Sequence, residues 1–135
     1  MNTISENLII LIDDDPISNI LTFDTIAITF PHNKILAYTD PEEGLQNIIS
    51  NIIKCKKIIL FLDINMPKLS GWDIIDKLCI LEISKDSIQI YMLSSSIYMK
   101  DKLKAISYKI IDGYFEKPLF EKDLKSILHK RNNLI

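Results

Sequence analysis

Ile58-Ile59-Leu60-Phe61-Leu62-Asp63-Ile64-Asn65-Met66-Pro67 is the stretch that decides the fold. An apolar run enters an aspartate, and Asn65 and Pro67 mark the turn that follows. Such an unbroken run predicts a strand, Lys57–Leu62, covered on both faces as in a parallel sheet. Asp63 then stands where the chain leaves the sheet. Ligands of open α/β sheets bind at the carboxyl ends of strands, so Asp63 is either a turn former or a site residue.

The same pattern recurs upstream. Leu8–Ile12 is apolar and ends in Asp13-Asp14-Asp15-Pro16. Asp15 followed by Pro16 reads as an N-cap and the first position of a helix. That helix is predicted to run to about Phe30, with Ile17, Ile20, Leu21 and Phe23 facing the core. Pro31 and Asn33 end it, and Lys34 to Tyr38 reads as a short strand. Asp40-Pro41-Glu42-Glu43 starts a second helix, with Glu43 as capping-box partner and Leu45, Ile48, Ile49 and Ile52 inward.

Downstream of the central strand, 64–70 is a loop. Gly71 to about Ile83 is predicted helical, with Ile74, Ile75, Leu78 and Leu81 inward. Ile88 to Leu93 is a fourth strand ending in Ser94-Ser95-Ser96, and a helix covers roughly 97–108. Gly113-Tyr114-Phe115-Glu116 is a fifth strand closed by Lys117-Pro118. The last helix places Phe120, Leu124, Ile127 and Leu128 on one face, with Lys130 and Arg131 near its end, where positive charge suits the helix dipole. Strands alternating with helices in this way predict a parallel sheet covered on both faces by right-handed connections.

The bulk properties agree. The chain has 135 residues, enough for one domain with a real core, and is 47% hydrophobic and 25% charged, as globular chains are. A net charge of −2 argues against nucleic acid or an anionic membrane as the main partner. Cys55 and Cys79 lack metal-type spacing and read as reduced thiols. No apolar run is long enough to span a membrane, and the N-terminus lacks a signal core. A cytoplasmic location is expected. The sequence predicts one domain over 1–135, with a core of about 7–130, polar lead-in residues 1–7 and no output domain.

Four strand ends carry matching polar groups: Asp13 and Asp14, then Asp63, then Ser94, then Lys117. Each has a plainer reading. Asp15 is most simply a helix cap, the acid pair could be solvated loop charges, Ser94 a turn serine and Lys117 an exposed lysine. If the first and third strands are neighbours, however, three carboxylates share one crevice and repel one another. A hard divalent cation such as Mg²⁺ removes that conflict. Lys117 and Ser94 can stabilise an anionic oxygen. Together these groups permit attack by Asp63 on a phosphoryl donor, giving an aspartyl phosphate.

With those residues in view, the chain resembles a response-regulator receiver domain of two-component signalling (CheY-like) over about residues 7–130. The resemblance rests on Ile12-Asp13-Asp14-Asp15-Pro16, Leu62-Asp63-Ile64-Asn65-Met66-Pro67, Gly71, Met92-Leu93-Ser94-Ser95 and Gly113-Tyr114-Phe115-Glu116-Lys117-Pro118. It implies a flavodoxin-like (βα)₅ three-layer sandwich with strand order 2-1-3-4-5. It implies that Asp63 is the phosphoacceptor and that Asp14, Asp13, Asp63 and the backbone carbonyl of Asn65 hold Mg²⁺. Ser94 matches the switch hydroxyl, Lys117 the lysine that bonds a phosphoryl oxygen, and Tyr114 the aromatic switch. A cis Lys117–Pro118 bond is also implied. Ser95 stands where the family often has alanine, and Ser94 where threonine is commoner.

On this reading the donor is a histidine kinase or a histidine-phosphotransfer protein, since His32 and His129 show no sign of belonging to a phosphotransfer bundle. Phosphorylation would repack the face made by the fourth helix, fifth strand and fifth helix, around Tyr98, Lys102, Tyr114 and Lys122, for a protein partner. The chain is expected to be a monomer or weak dimer. A pseudo-receiver that never takes phosphate is the first rival. A small aspartate-nucleophile phosphatase of the haloacid-dehalogenase type is weaker, because its second acid would fall at Asn65. A flavin carrier would need a phosphate-cradling loop where Asp13-Asp14-Asp15 stands.

Overall fold

The computed structural model describes residues 7–54, 57–95 and 98–133, with side chains described to residue 127. The expectations placed on Cys55, Leu128, His129, Lys130 and Arg131 lie outside these described parts. The elements alternate as β1 (Asn7–Ile12), α1 (Pro16–Thr29), β2 (Lys34–Tyr38), α2 (Pro41–Ile52), β3 (Lys57–Asp63), α3 (Gly71–Ile80), β4 (Ile88–Ser94), α4 (Met99–Ser107), β5 (Ile111–Glu116) and α5 (Glu121–Asn133). All strand pairs are parallel, in the order β2-β1-β3-β4-β5. This is the predicted flavodoxin-like sandwich.

The apolar strands are buried on both faces because each face meets a helical layer. Ile10, Ile12, Leu60, Leu62, Ile90 and Met92 pack with Leu45 and Ile48 of α2 and with Ile74, Ile75 and Leu78 of α3. Ile9, Leu11, Ile59, Phe61, Tyr91 and Leu93 pack with Ile26 of α1 and with Leu124 and Ile127 of α5. Fully burying one such side chain contributes roughly 1.5–3 kcal/mol, so the central strands hold the top of the sheet rigidly.

Helix starts follow their capping chemistry. Asp15 accepts from the N–H groups of Ile17 and Ser18, and Asp40 accepts from that of Glu42. The complete capping box, expected around Asp40 and Glu43, forms at α3 instead. There Ser70 and Asp73 exchange bonds of 3.1 and 3.0 Å.

Five inward-facing expectations are corrected. Ile17, Ile20 and Leu21 are 71%, 62% and 60% exposed, and the buried face of α1 is Asn19, Thr22 and Ile26. The cap at Asp15 sets the phase of the helix, and Asn19 is needed inside, where its amide bonds two strand-end carbonyls. Leu81 and Phe120 are also exposed rather than buried. α3 stops at Ile80, short of the predicted Ile83, in a Schellman turn. Ile83 N–H bonds the Leu78 carbonyl and Glu82 N–H bonds that of Cys79. Glu82 takes the left-handed conformation (φ 55°) usually left to glycine, so no local signal announced this stop.

β5 begins at Ile111, two residues before the predicted start. A register shift opposite Ile90 and Tyr91 leaves Asp112 unpaired in the ladder. Its carboxylate replaces the missing backbone acceptor, taking the N–H of Ile90 at 2.9 Å, and pairs with Lys85. The bulge lets Ile111 and Tyr114 face the same layer.

Candidate functional site

Residues at the carboxyl ends of β1, β3 and β5 meet in one acidic pocket. β1 and β3 are hydrogen-bonded neighbours, which brings Asp13 and Asp14 beside Asp63. One carboxylate oxygen from each of the three lies within 4.8 Å of the others. Asp13 and Asp63 are buried and Asp14 is half-buried. Lys117 reaches over from β5, with its Nζ 3.1 Å from Asp13 Oδ2 and 3.4 Å from Asp63 Oδ1.

Backbone contacts fix each member. Asp13 N–H bonds the Tyr38 carbonyl at 3.1 Å, and the buried Asn19 amide clamps the carbonyls of Asp13 and Tyr38 at 2.9 and 3.0 Å. Ile64 N–H bonds the Leu93 carbonyl, and Lys117 N–H bonds the Ser94 carbonyl at 2.7 Å, tying β3, β4 and β5 together at the level of the pocket. Gly71 makes the turn after Asp63 possible. A Cβ there would stand 2.6 Å from the Asp63 carbonyl oxygen and 3.0 Å from Ile64 Cα. The Lys117–Pro118 bond is cis, as the resemblance implied.

Electrostatics mark the pocket as acidic, its charges acting strongly on one another. Burial pushes the Asp63 carboxyl up to about 6; Lys117 pulls against this, and the Asp13 and Asp14 charges add to it. Burial alone would lower the Lys117 value, but Asp63 and Asp13 outweigh it and hold the ammonium above its ordinary value. Three carboxylates against one lysine leave a negative excess, and a clustered all-oxygen donor set of this kind fits a hard divalent cation.

The remaining predicted residues are placed less tightly. Ser94 is fully buried at the end of β4. Asn65 is exposed in the turn after Asp63. Tyr114 is half-buried on β5 and lines a cavity of about 210 Å³ with Lys102, Ala105, Ile106 and Ile111, away from the carboxylates. Ser95 is exposed and lines a groove of about 510 Å³ between α1 and the start of α5, shared with Ile17, Ser18, Leu21, Lys117 and Phe120.

Two polar residues of α1 were missed from the sequence. Asn19 is the clamp just described. The Ser18 hydroxyl donates to Asp13 Oδ2 at 2.5 Å and accepts from Lys117 Nζ at 3.1 Å. The available signal was their place in the first turns after the Asp15 cap, close to the strand-end acids. The apolar periodicity of Ile17, Ile20 and Leu21 overrode it.

Comparison with known proteins agrees with this geometry. The response regulator receiver domain family matches residues 9–129, and the chain belongs to that family. No protein with a curated description matches the sequence. Among solved structures, a two-component response regulator from Cytophaga hutchinsonii is similar at 28% identity. It has a TM-score of 0.83, over 96% of this chain and 98% of that one. A response regulator receiver protein from Dyadobacter fermentans shares the fold at 18% identity and TM-score 0.80, over 92% and 96%. A response regulator/GGDEF protein shares it at 14% identity and TM-score 0.75, with 98% of this chain matching 51% of that one.

Among the described residues, no helix is long and apolar enough to cross a membrane.

Proposed function

We propose that Asp63 accepts a phosphoryl group from a phosphohistidine on a histidine kinase or histidine-phosphotransfer protein. The supporting observation is the cluster of Asp13, Asp14 and Asp63 with Lys117 paired to two of them. A carboxylate oxygen of Asp63 attacks phosphorus, the P–O bond forms, the P–N bond to the donor imidazole breaks, and that nitrogen takes a proton. Asp13, Asp14, Asp63 and the Asn65 carbonyl would hold Mg²⁺, which when bound neutralises charge on the phosphoryl oxygens. Lys117 shifts from the carboxylates to one phosphoryl oxygen, and the Ser94 hydroxyl to another. The protein is a phosphoacceptor rather than a turnover enzyme, and it works in the cytoplasm, where such donors act.

The donor must reach the pocket past the groove between α1 and Phe120. Exposed Ile17, Leu21 and Phe120 flank it and offer an apolar seat. Downstream, the face of α4, β5 and α5 around Tyr98, Lys102, Tyr114 and Lys122 carries the output to a protein partner. Rotation of Tyr114, which lines a small cavity with Lys102 and Ile106 of α4, would carry the state of the pocket to that face.

Intact-protein mass after incubation with acetyl phosphate tests the proposal. One phosphoryl group gained by the wild type with Mg²⁺, and none by Asp63→Asn or in EDTA, is expected. No gain by folded wild type, from acetyl phosphate or from a phosphorylated histidine donor, would make the chain a phosphorylation-independent interaction module.

A further inference from the structure

We propose that Ser18 is a positioning residue of the acidic pocket, whose hydroxyl holds Asp13 and Lys117 in the arrangement that leaves the carboxylate cluster open to a divalent cation. The inference rests on the function proposed above and concerns how strongly the cation binds.

The geometry is a closed triangle. Ser18 Oγ donates to Asp13 Oδ2, Lys117 Nζ donates to the same Oδ2 at 3.1 Å, and Lys117 Nζ donates to Ser18 Oγ at 3.1 Å. The other oxygen of Asp13 accepts from Asp15 N–H at 3.1 Å. Both ends of the buried Asp13 carboxylate are therefore oriented by groups of the β1–α1 turn and first helical turn. The hydroxyl is not consumed by the helix, because Asp15 already caps the N–H groups of Ile17 and Ser18.

The consequence concerns competition. An ammonium in a half-dry pocket seeks acceptors for its three protons. With Ser18 present, one acceptor is a neutral oxygen on the α1 wall of the groove. Without it, the proton that Ser18 accepts is left to the Asp13 and Asp63 carboxylates that Lys117 already contacts, and the hold of Lys117 on the oxygens that a cation needs tightens. The Asp13 carboxylate also loses the bond that fixes its plane. Outer groups that orient ligands act on affinity in this way.

Ser18→Ala, Ser18→Thr and Ser18→Val, compared with wild type, test the proposal. Thr and Val have the same shape and differ in the hydroxyl. Mg²⁺ affinity is read by isothermal titration calorimetry, and the Mg²⁺ concentration giving half-maximal phosphoryl gain from acetyl phosphate is read in parallel. The Ala and Val variants are expected to bind Mg²⁺ about tenfold more weakly, with Thr close to wild type. The half-maximal Mg²⁺ concentration for phosphoryl gain should rise by the same factor. Folded Ala and Val variants that bind Mg²⁺ as wild type does would overturn the proposal. So would a loss confined to the saturated rate. Wild type that binds no Mg²⁺ would instead overturn the functional reading itself, and this inference with it.

Discussion

Asp63 concentrates the chemistry in one ionisation. Its carboxyl is raised from about 3.8 to about 6, chiefly by burial, so between those values the folded chain holds a proton that the unfolded chain has released. The folded state then binds more protons, and the contribution of Asp63 to stability falls as pH rises through that window. Above about pH 6 the cation-free protein carries a buried charge that its fold disfavours. Asp63→Asn is therefore expected to be more stable than wild type in EDTA at pH 7, by about 1–2 kcal/mol after allowing for solvent screening. The gap should close toward pH 4 and shrink on adding Mg²⁺. Urea unfolding at several pH values checks this, and a wild type at least as stable as the variant at pH 7 in EDTA would contradict it. The proposed phosphoacceptor role would gain from such an arrangement, because a charge that the fold does not satisfy is one that a cation can.

Among the elements, α1 is the one that faces the unexpected way. Its polar face of Asn19 and Thr22 is buried, and Ile17, Ile20 and Leu21 face solvent beside the groove that leads to Lys117. On the proposed function, this exposed apolar stripe is where a protein donor would dock. Leu21→Asp is expected to lower the rate of phosphoryl transfer from a cognate histidine-phosphorylated protein by at least about tenfold, the loss of one well-packed apolar contact. Transfer from acetyl phosphate, which needs no docking surface, should be unchanged. Equal losses from both donors would place Leu21 in the pocket's own machinery. Equal rates with the protein donor would remove α1 from the docking surface.

At the scale of the whole molecule, the proposed switch requires the pocket to act on the α4 face. α4 is held on one side by β5, through Tyr114 and the small cavity beside it, and on the other by α3. Trp72 of α3 stacks on Tyr108 at 5.9 Å, Lys104 of α4 lies 4.8 Å over the Trp72 ring, and the Tyr108 hydroxyl donates to Asp76 at 2.6 Å. That bond pushes Tyr108 ionisation up to about 12. Trp72 is the single tryptophan of the chain, so its emission reports the position of α4. Phosphoryl gain is expected to change that emission, and Tyr114→Ala to keep the phosphoryl gain while losing most of the emission change. An emission spectrum indifferent to phosphorylation in wild type would show that the α3–α4 contact does not move with the switch.

The sequence by itself determined the strands, their order of appearance and the residue types at their carboxyl ends, because buried parallel strands demand continuous apolar runs and the first two helices announce their caps at Asp15 and Asp40. It placed Asp13 and Asp14, Asp63, and Lys117 at the ends of three strands, and family resemblance supplied the order that brings them together. Only the tertiary structure decided which face of α1 is buried, since a helix's phase against a sheet depends on the strand-end carbonyls that Asn19 must satisfy, and periodicity reports a stripe without saying what covers it. Only the tertiary structure put Ser18 between Asp13 and Lys117, a contact that joins residues 99 positions apart. The early stop of α3 at Ile80, with Glu82 left-handed beyond it, and the Asp112 bulge were illegible for the same reason: each is a local cost or gap that packing elsewhere compensates.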